Sequence, residues 1–159
     1  MLDILTAGEF FGSFASLGDD VYPDTAQAQT AVCVLAISRE AFRHILDLYP
    51  SITLKVVDIM VARLRAAHER VRQLSVSPVE SRIAHVLVVL SDKFGKQSDV
   101  GMLIQVPLAR EDLASMAGTT PETASRVMSQ FQKDGLVDAG RLWVAVLDHI
   151  QLETIAGSE

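Results

Sequence analysis

Glu122, Ser125, Arg126 and Ser129 recur at i, i+3, i+4 and i+7, so a helix through them would carry all four on one polar face. Such a face has the chemistry to read base pairs. A guanidinium at Arg126 can donate two hydrogen bonds to guanine O6 and N7, and a carboxylate at Glu122 can accept one from cytosine N4. Ser125 is short enough to lie against a thymine edge. On the opposite side Ala124, Val127, Met128 and Phe131 repeat with the same period and are expected to be buried. An ordinary helical hairpin with a solvated outer face would show the same stripe, with Glu122 and Arg126 pairing at i, i+4. The residues alone leave both readings open, and that pair is compatible with DNA contact.

The flanking sequence supplies elements to position this helix. Thr120-Pro121 reads as a hydroxyl N-cap followed by proline at the first helical position. Gly118 suits a tight turn after a first helix that buries Leu113, Ala114 and Ala117. Upstream, Ser81 to Phe94 reads as a helix ended by Gly95, with Leu103 to Val106 a short strand closed by Pro107. Downstream, Leu136-Val137 and Trp143 to Val146 flank Ala139-Gly140, the expected turn of a β-hairpin, and Asp148 to Ala156 reads as a last helix. Helix, strand, helix, helix, hairpin is the order of a winged helix-turn-helix, assigned to 78–159.

The longest periodic segment precedes it. Val57, Met60, Leu64, Ala67, Val71 and Leu74 are spaced 3, 4, 3, 4, 3, an a/d seam suited to a short coiled-coil contact between two subunits. Ile52, Val56 and Ile59 form a second apolar stripe. The alternative is a single amphipathic helix buried within one chain. Val76-Ser77-Pro78 breaks this helix and reads as a hinge, so 51–77 is assigned to dimerisation and hinge. Ser38 should cap a short helix that ends near Tyr49. In 1–50, Phe10-Phe11-Gly12 and Thr30 to Ile37 read as strands separated by turn chemistry at Gly18-Asp19-Asp20 and Tyr22-Pro23-Asp24. The chain begins inside what reads as a strand–turn unit, so the front of that domain is expected to lie outside it. The fold class expected is α+β.

Composition is that of a globular chain, with 49% apolar and 21% charged residues. No apolar run approaches a membrane span, and one cysteine, Cys33, allows no intrachain disulfide framework, so a cytoplasmic setting without membrane contact is expected. The net charge of −6 is unusual for a nucleic-acid partner. Arg110, Arg126, Lys133 and Arg141 face Glu111, Asp112, Glu122, Asp134 and Asp138 between Val106 and Leu147. Backbone amides and helix starts must therefore supply part of any phosphate binding. No nucleophile elbow or Gly-rich phosphate loop is present, so no catalytic residue is assigned and an enzyme is not expected. His44, His68, His85 and His149 lie apart without metal spacing, and no metal ligand is assigned.

In this order of elements the chain resembles the Crp/Fnr family of bacterial transcription regulators, in which a cyclic-nucleotide-binding-like β-roll precedes a winged helix. The resemblance runs from Gly8-Glu9-Phe10-Phe11-Gly12 through SRIAHVLVVL to the last helix, and PLAREDLA with AGTTPETASR is its specific part. It implies a partial β-roll, a long dimerisation helix, a winged helix-turn-helix, and a homodimer on double-stranded DNA with RNA polymerase as a further partner. Glu122-x-x-Ser125-Arg126 is similar to the E-x-x-S-R pattern of the Fnr branch, which implies TTGAT-type half-sites. The residues expected at DNA are Thr120, Glu122, Thr123, Ser125, Arg126 and Ser129, bordered by Arg110, Lys133 and Arg141.

The resemblance also sets limits. Members that bind cyclic nucleotides carry Glu after the GEF-x-G motif and an Arg-Ser pair a short loop later. Those places hold Ser13 and roughly Asp24-Thr25 here. An acid would repel a cyclic phosphate, which weighs against cyclic AMP. Cys33 falls near a cluster cysteine of the oxygen-sensing branch, but an iron–sulfur cluster needs four thiolates, so a buried strand cysteine is expected. No cofactor is assigned, and an iron–sulfur cluster or haem stays undetermined. Ala109 stands where relatives often have a hydroxyl cap, so the first helix of the motif is expected to fray. The competing function is an effector or redox sensor module that acts through protein contacts with a degenerate DNA face; the acidic balance is its support.

Overall fold

A computed structural model describes residues 3–12 and 25–157. The chain divides into two units, Gly8–Val71 and a second formed by Met1–Ala7 with Arg72–Glu159.

In the first unit, α1 (Arg39–Leu48) starts where the Ser38 hydroxyl accepts from the Ala41 amide at 3.2 Å. The Phe10 and Phe42 rings stack with centroids 5.7 Å apart, and Arg63 donates to the Phe10 carbonyl. Among the described residues, Phe10 to Gly12 and Thr30 to Ile37 form no strand, contrary to expectation. A strand needs a neighbouring strand for its amides and carbonyls, and among the described residues the sheet is formed by other segments. Leu35 is fully exposed, and so is Cys33 open to solvent rather than buried in a sheet. The expected turns at 18–20 and 22–24 lie outside the described residues.

Helix α2 (Pro50–Val76) has no buried residue along its 27 positions. Val57, Leu64, Val71 and Leu74 are each more than half exposed; Ala67 is exposed and Met60 half-buried.

The second unit begins its core after Pro78 with α3 (Val79–Phe94), capped at Gly95. Then come β1 (Gly95–Ser98), β2 (Gly101–Ile104), α4 (Arg110–Ala117), α5 (Pro121–Lys133), β3 (Val137–Gly140), β4 (Trp143–Val146) and α6 (His149–Ala156). The antiparallel sheet has the order β1-β2-β4-β3. Met102 pairs with Val146 and Leu103 with Ala145, so the chain leaves the sheet at β2, runs through α4 and α5, and re-enters at the edge strand β3, with β4 between the two. Ile83, Leu87 and Leu90 of α3, Leu113 of α4, Met128 of α5, Val137 and Val144 of the sheet and Leu152 of α6 are fully buried and form one core. Strand β1 was not expected, and β2 starts two residues before the expected strand. The hairpin turn is Arg141-Leu142, not Ala139-Gly140, because Gly140 pairs with Trp143. Gly140 gives up its side-chain space to the Trp143 indole, whose Nε1 would sit 2.2 Å from an added Cβ.

Candidate nucleic-acid interface

The α4–α5 corner is set by Gly118, which has φ +61 and ψ 49 and caps α4. Only a residue without a Cβ adopts that conformation freely. An added Cβ would also meet Leu74 Cδ2, but that is the tip of a flexible, exposed side chain that can turn aside, so the backbone conformation makes the choice. Arg82, on the first turn of α3, braces this corner. Its Nε donates to the Ala117 carbonyl at 2.8 Å, Nη1 to the Ser77 carbonyl at 2.9 Å and Nη2 to the Gly118 carbonyl at 3.2 Å. The hinge segment and the helix-turn-helix corner thus share one guanidinium.

Helix α4 begins after Ala109, which has no side-chain acceptor, but its start is tied from within the helix. Asp112 reaches back and its carboxylate accepts from the Ala109 amide at 3.1 Å, the reciprocal half of a capping box. The first-turn amides of α4 carry no side-chain cap from Ala109 and remain available. Helix α5 starts with Pro121 at its first position and the Thr120 hydroxyl accepting from the Thr123 amide at 3.3 Å. Ala124, Val127, Met128 and Phe131 are buried, which leaves the opposite face of α5 in solvent.

On that face Glu122, Ser125, Arg126 and Ser129 are exposed, with Thr120 exposed and Thr123 half-buried beside them. The Glu122 carboxyl is held below the usual carboxylate range, first by its own backbone amide and then by the Thr120 hydroxyl. It therefore stays ionised at the helix start, where a negative charge is favourable. Among the described residues Glu122 and Arg126 form no ion pair, so the guanidinium is free to reach outward. Ser129 donates to the Ser125 carbonyl at 2.9 Å.

An open groove of about 580 Å³ is lined by Leu108, Ala109, Arg110, Glu111, Pro121, Glu122, Ser125, Gly140, Arg141 and Leu142. It brings together the starts of α4 and α5 and the tip of the β3–β4 hairpin. Of the expected contact residues, Arg110, Glu122, Ser125 and Arg141 meet there. Arg126, Ser129 and Lys133 lie further along α5 and do not line it. Burial lowers the pKa of Arg110, although a guanidinium keeps its charge at neutral pH. Gln132 donates to the Ala139 carbonyl at 3.0 Å and ties the end of α5 to the hairpin. The sequence reading missed Arg82 and Leu142. An arginine in the largely apolar SRIAHVLVVL run is the signal for the first; the second has none, because its position at the turn depends on strand register.

The chain matches the Crp-like helix-turn-helix domain over residues 81–155 and the Cyclic nucleotide-binding domain over 1–49. It is 30% identical over 155 residues to the Cyclic AMP receptor protein of Thermus thermophilus, covering 98% of this chain and 68% of that protein. The chain belongs to the Crp/Fnr family. Another member, the Transcriptional activator protein FnrA of Stutzerimonas stutzeri, is 30% identical over 143 residues, 90% of this chain and 59% of that protein. Among solved structures, FixK2 from Bradyrhizobium japonicum has the same fold, with a TM-score of 0.70 at 18% identity over 77% of this chain and 61% of that one. The chain spans about three-fifths of the length of its Fnr-type relatives. Ser13 and Asp24, which weigh against a cyclic nucleotide, lie outside the described residues. No described helix is long and apolar enough to cross a membrane.

Proposed function

We propose that this Crp/Fnr-family chain acts as a homodimeric, sequence-specific DNA-binding regulator of transcription in the cytoplasm. Its reading head is α5. Arg126 donates to a guanine, Glu122 accepts from a cytosine, and Ser125 lies against a thymine. Thr120, Thr123 and Ser129 flank them, while Arg110, Lys133 and Arg141 with the starts of α4 and α5 hold phosphates. The observation that carries this reading is the exposed polar face of α5 beside a groove walled by two helix starts and two cations. The two cations and the helix starts, set beside the Glu111 and Glu122 carboxylates, support phosphate binding by a chain whose net charge is −6.

Two such helices related by a dyad would meet an inverted repeat with half-sites about 34 Å apart. The seam Val57, Met60, Leu64, Ala67, Val71 and Leu74 is the proposed dimer contact, since α2 buries none of its residues within the chain. In this assignment 1–50 is part of a sensor domain, 51–77 the dimerisation helix and hinge, and 78–159 the DNA-binding domain. RNA polymerase is the proposed protein partner. The test is selection from a random duplex library with wild type and Arg126→Ala. Wild type should yield a TTGAT-type inverted repeat, and the variant should lose roughly 1–3 kcal/mol per half-site together with its preference at the guanine. An unchanged consensus in the variant would refute base reading by Arg126.

A further inference from the structure

We propose that Leu142, at the tip of the hairpin, packs its side chain on the deoxyribose face of the DNA backbone while Arg141 holds the adjoining phosphate. The proposal rests on the DNA reading above and assigns the wing a contact that has no charge. Among the described residues Leu142 is the one non-glycine with a positive φ, 64°. It is the second residue of the two-residue turn that closes the Gly140–Trp143 pair. A positive φ at that place favours Gly or Asn, because a Cβ crowds the backbone there. Leucine is thus a poor backbone choice, and burial does not compensate. Leu142 is 50% exposed, whereas Val144 on the same hairpin is fully buried.

The turn is held in this shape by its surroundings. The Leu142 carbonyl accepts from the Leu108 amide at 3.3 Å, and Gly140 makes room for the Trp143 indole across the strand pair. With the backbone fixed from outside, Leu142 lines the groove together with Arg110, Glu111, Glu122, Ser125 and Arg141. Strain kept at a site with an outward side chain points to use of that side chain. The groove's cations and helix starts suit phosphates. Between successive phosphates the backbone presents the sugar, its apolar part, and an aliphatic group beside a guanidinium matches a sugar–phosphate unit. A protein partner would use the same apolar atoms but has no need of two cations and two helix starts around them.

The test uses Leu142→Gly and Leu142→Asn, both suited to the turn, so neither should lower the thermal midpoint. Affinities are measured by fluorescence anisotropy on a duplex with inverted TTGAT half-sites and on a scrambled duplex, across a salt series, with Arg141→Ala alongside. Both Leu142 variants should bind about five-fold more weakly per half-site, from half the burial of a leucine. The loss should be the same on both duplexes, and the slope of log affinity against log salt should be unchanged. Arg141→Ala should instead reduce that slope by about one per half-site. Equal affinity of the Leu142 variants and wild type would overturn the proposal. A changed salt slope, or a loss confined to the specific duplex, would overturn it too, since either marks a displaced Arg141 or α5. If wild type binds neither duplex, the DNA reading fails and this contact with it; wild-type binding with unaltered variants defeats the contact alone.

Discussion

Replacing Arg82 by methionine keeps the aliphatic stem and removes the guanidinium that joins the hinge to the helix-turn-helix corner. Two of its hydrogen bonds, to Ala117 and Ser77, lie in a half-buried setting, and the third, to Gly118, is exposed. A hydrogen bond from a charged donor contributes about 1.5–3 kcal/mol. The exposed one is replaced by water at little cost, and water reaches the other two carbonyls in part. The net loss should then be about 3 kcal/mol. A domain of 60–100 residues loses roughly 4–8 °C of thermal midpoint per kcal/mol, so the midpoint should fall by at least about 10 °C. The chain's single tryptophan, Trp143, lies on β4 of the same unit, and its fluorescence reports this unit's unfolding directly. Arg82→Lys should fall between, because an ammonium cannot span three carbonyls as a planar fork does. A methionine variant that melts within about 1 °C of wild type would show that solvent satisfies these carbonyls and that the brace adds no net stability.

Leu64→Glu places a charge in the proposed α2 seam, where burying it unpaired costs about 3–5 kcal/mol; sedimentation should show a monomer at micromolar concentration, and a persisting dimer would disprove the seam. The Ser91 hydroxyl is buried without a hydrogen-bond partner among the described residues, so Ser91→Ala should raise stability by about 1 kcal/mol in a thermal melt, helped by the better helix propensity of alanine; a lower midpoint would reveal a hidden partner. Calorimetric titration with cyclic AMP should give no measurable heat of binding, and micromolar affinity would refute the weight placed on Ser13 and Asp24.

The helix-turn-helix was legible because its signals are local. Thr120-Pro121 and Gly118 announce a start and a stop within four residues, and the apolar repeat at 124, 127, 128 and 131 is the face that the structure buries. Strand β1 was not legible, since Gly95-Lys96-Gln97-Ser98 is a polar strand that, among the described residues, stands at the sheet edge beside β2. The hairpin turn was misplaced for a related reason. Glycine is the usual turn residue, but Gly140 serves the Trp143 ring and the turn falls to Arg141-Leu142. At Thr30 to Ile37 composition pointed to a strand, and pairing, which composition does not carry, decided otherwise. In the interface, the four groove residues come from three separate elements. Residue type suggested each one, but only tertiary packing brings them to one place.

The pairing of β2 with β4 has a kinetic consequence. Met102–Val146 and Leu103–Ala145 form a narrow neck that closes a loop of about 40 residues containing α4, α5 and β3. Closing so long a loop is entropically slow, so the neck should form late in folding. Once closed, it isolates what lies beyond it. The outward face of α5 can drift in evolution without disturbing strand register, because no ladder bond depends on it. Amide exchange should show the same partition, with the Val146 and Leu103 amides opening only with the whole unit while the amides at the Arg141-Leu142 tip exchange through local fluctuations.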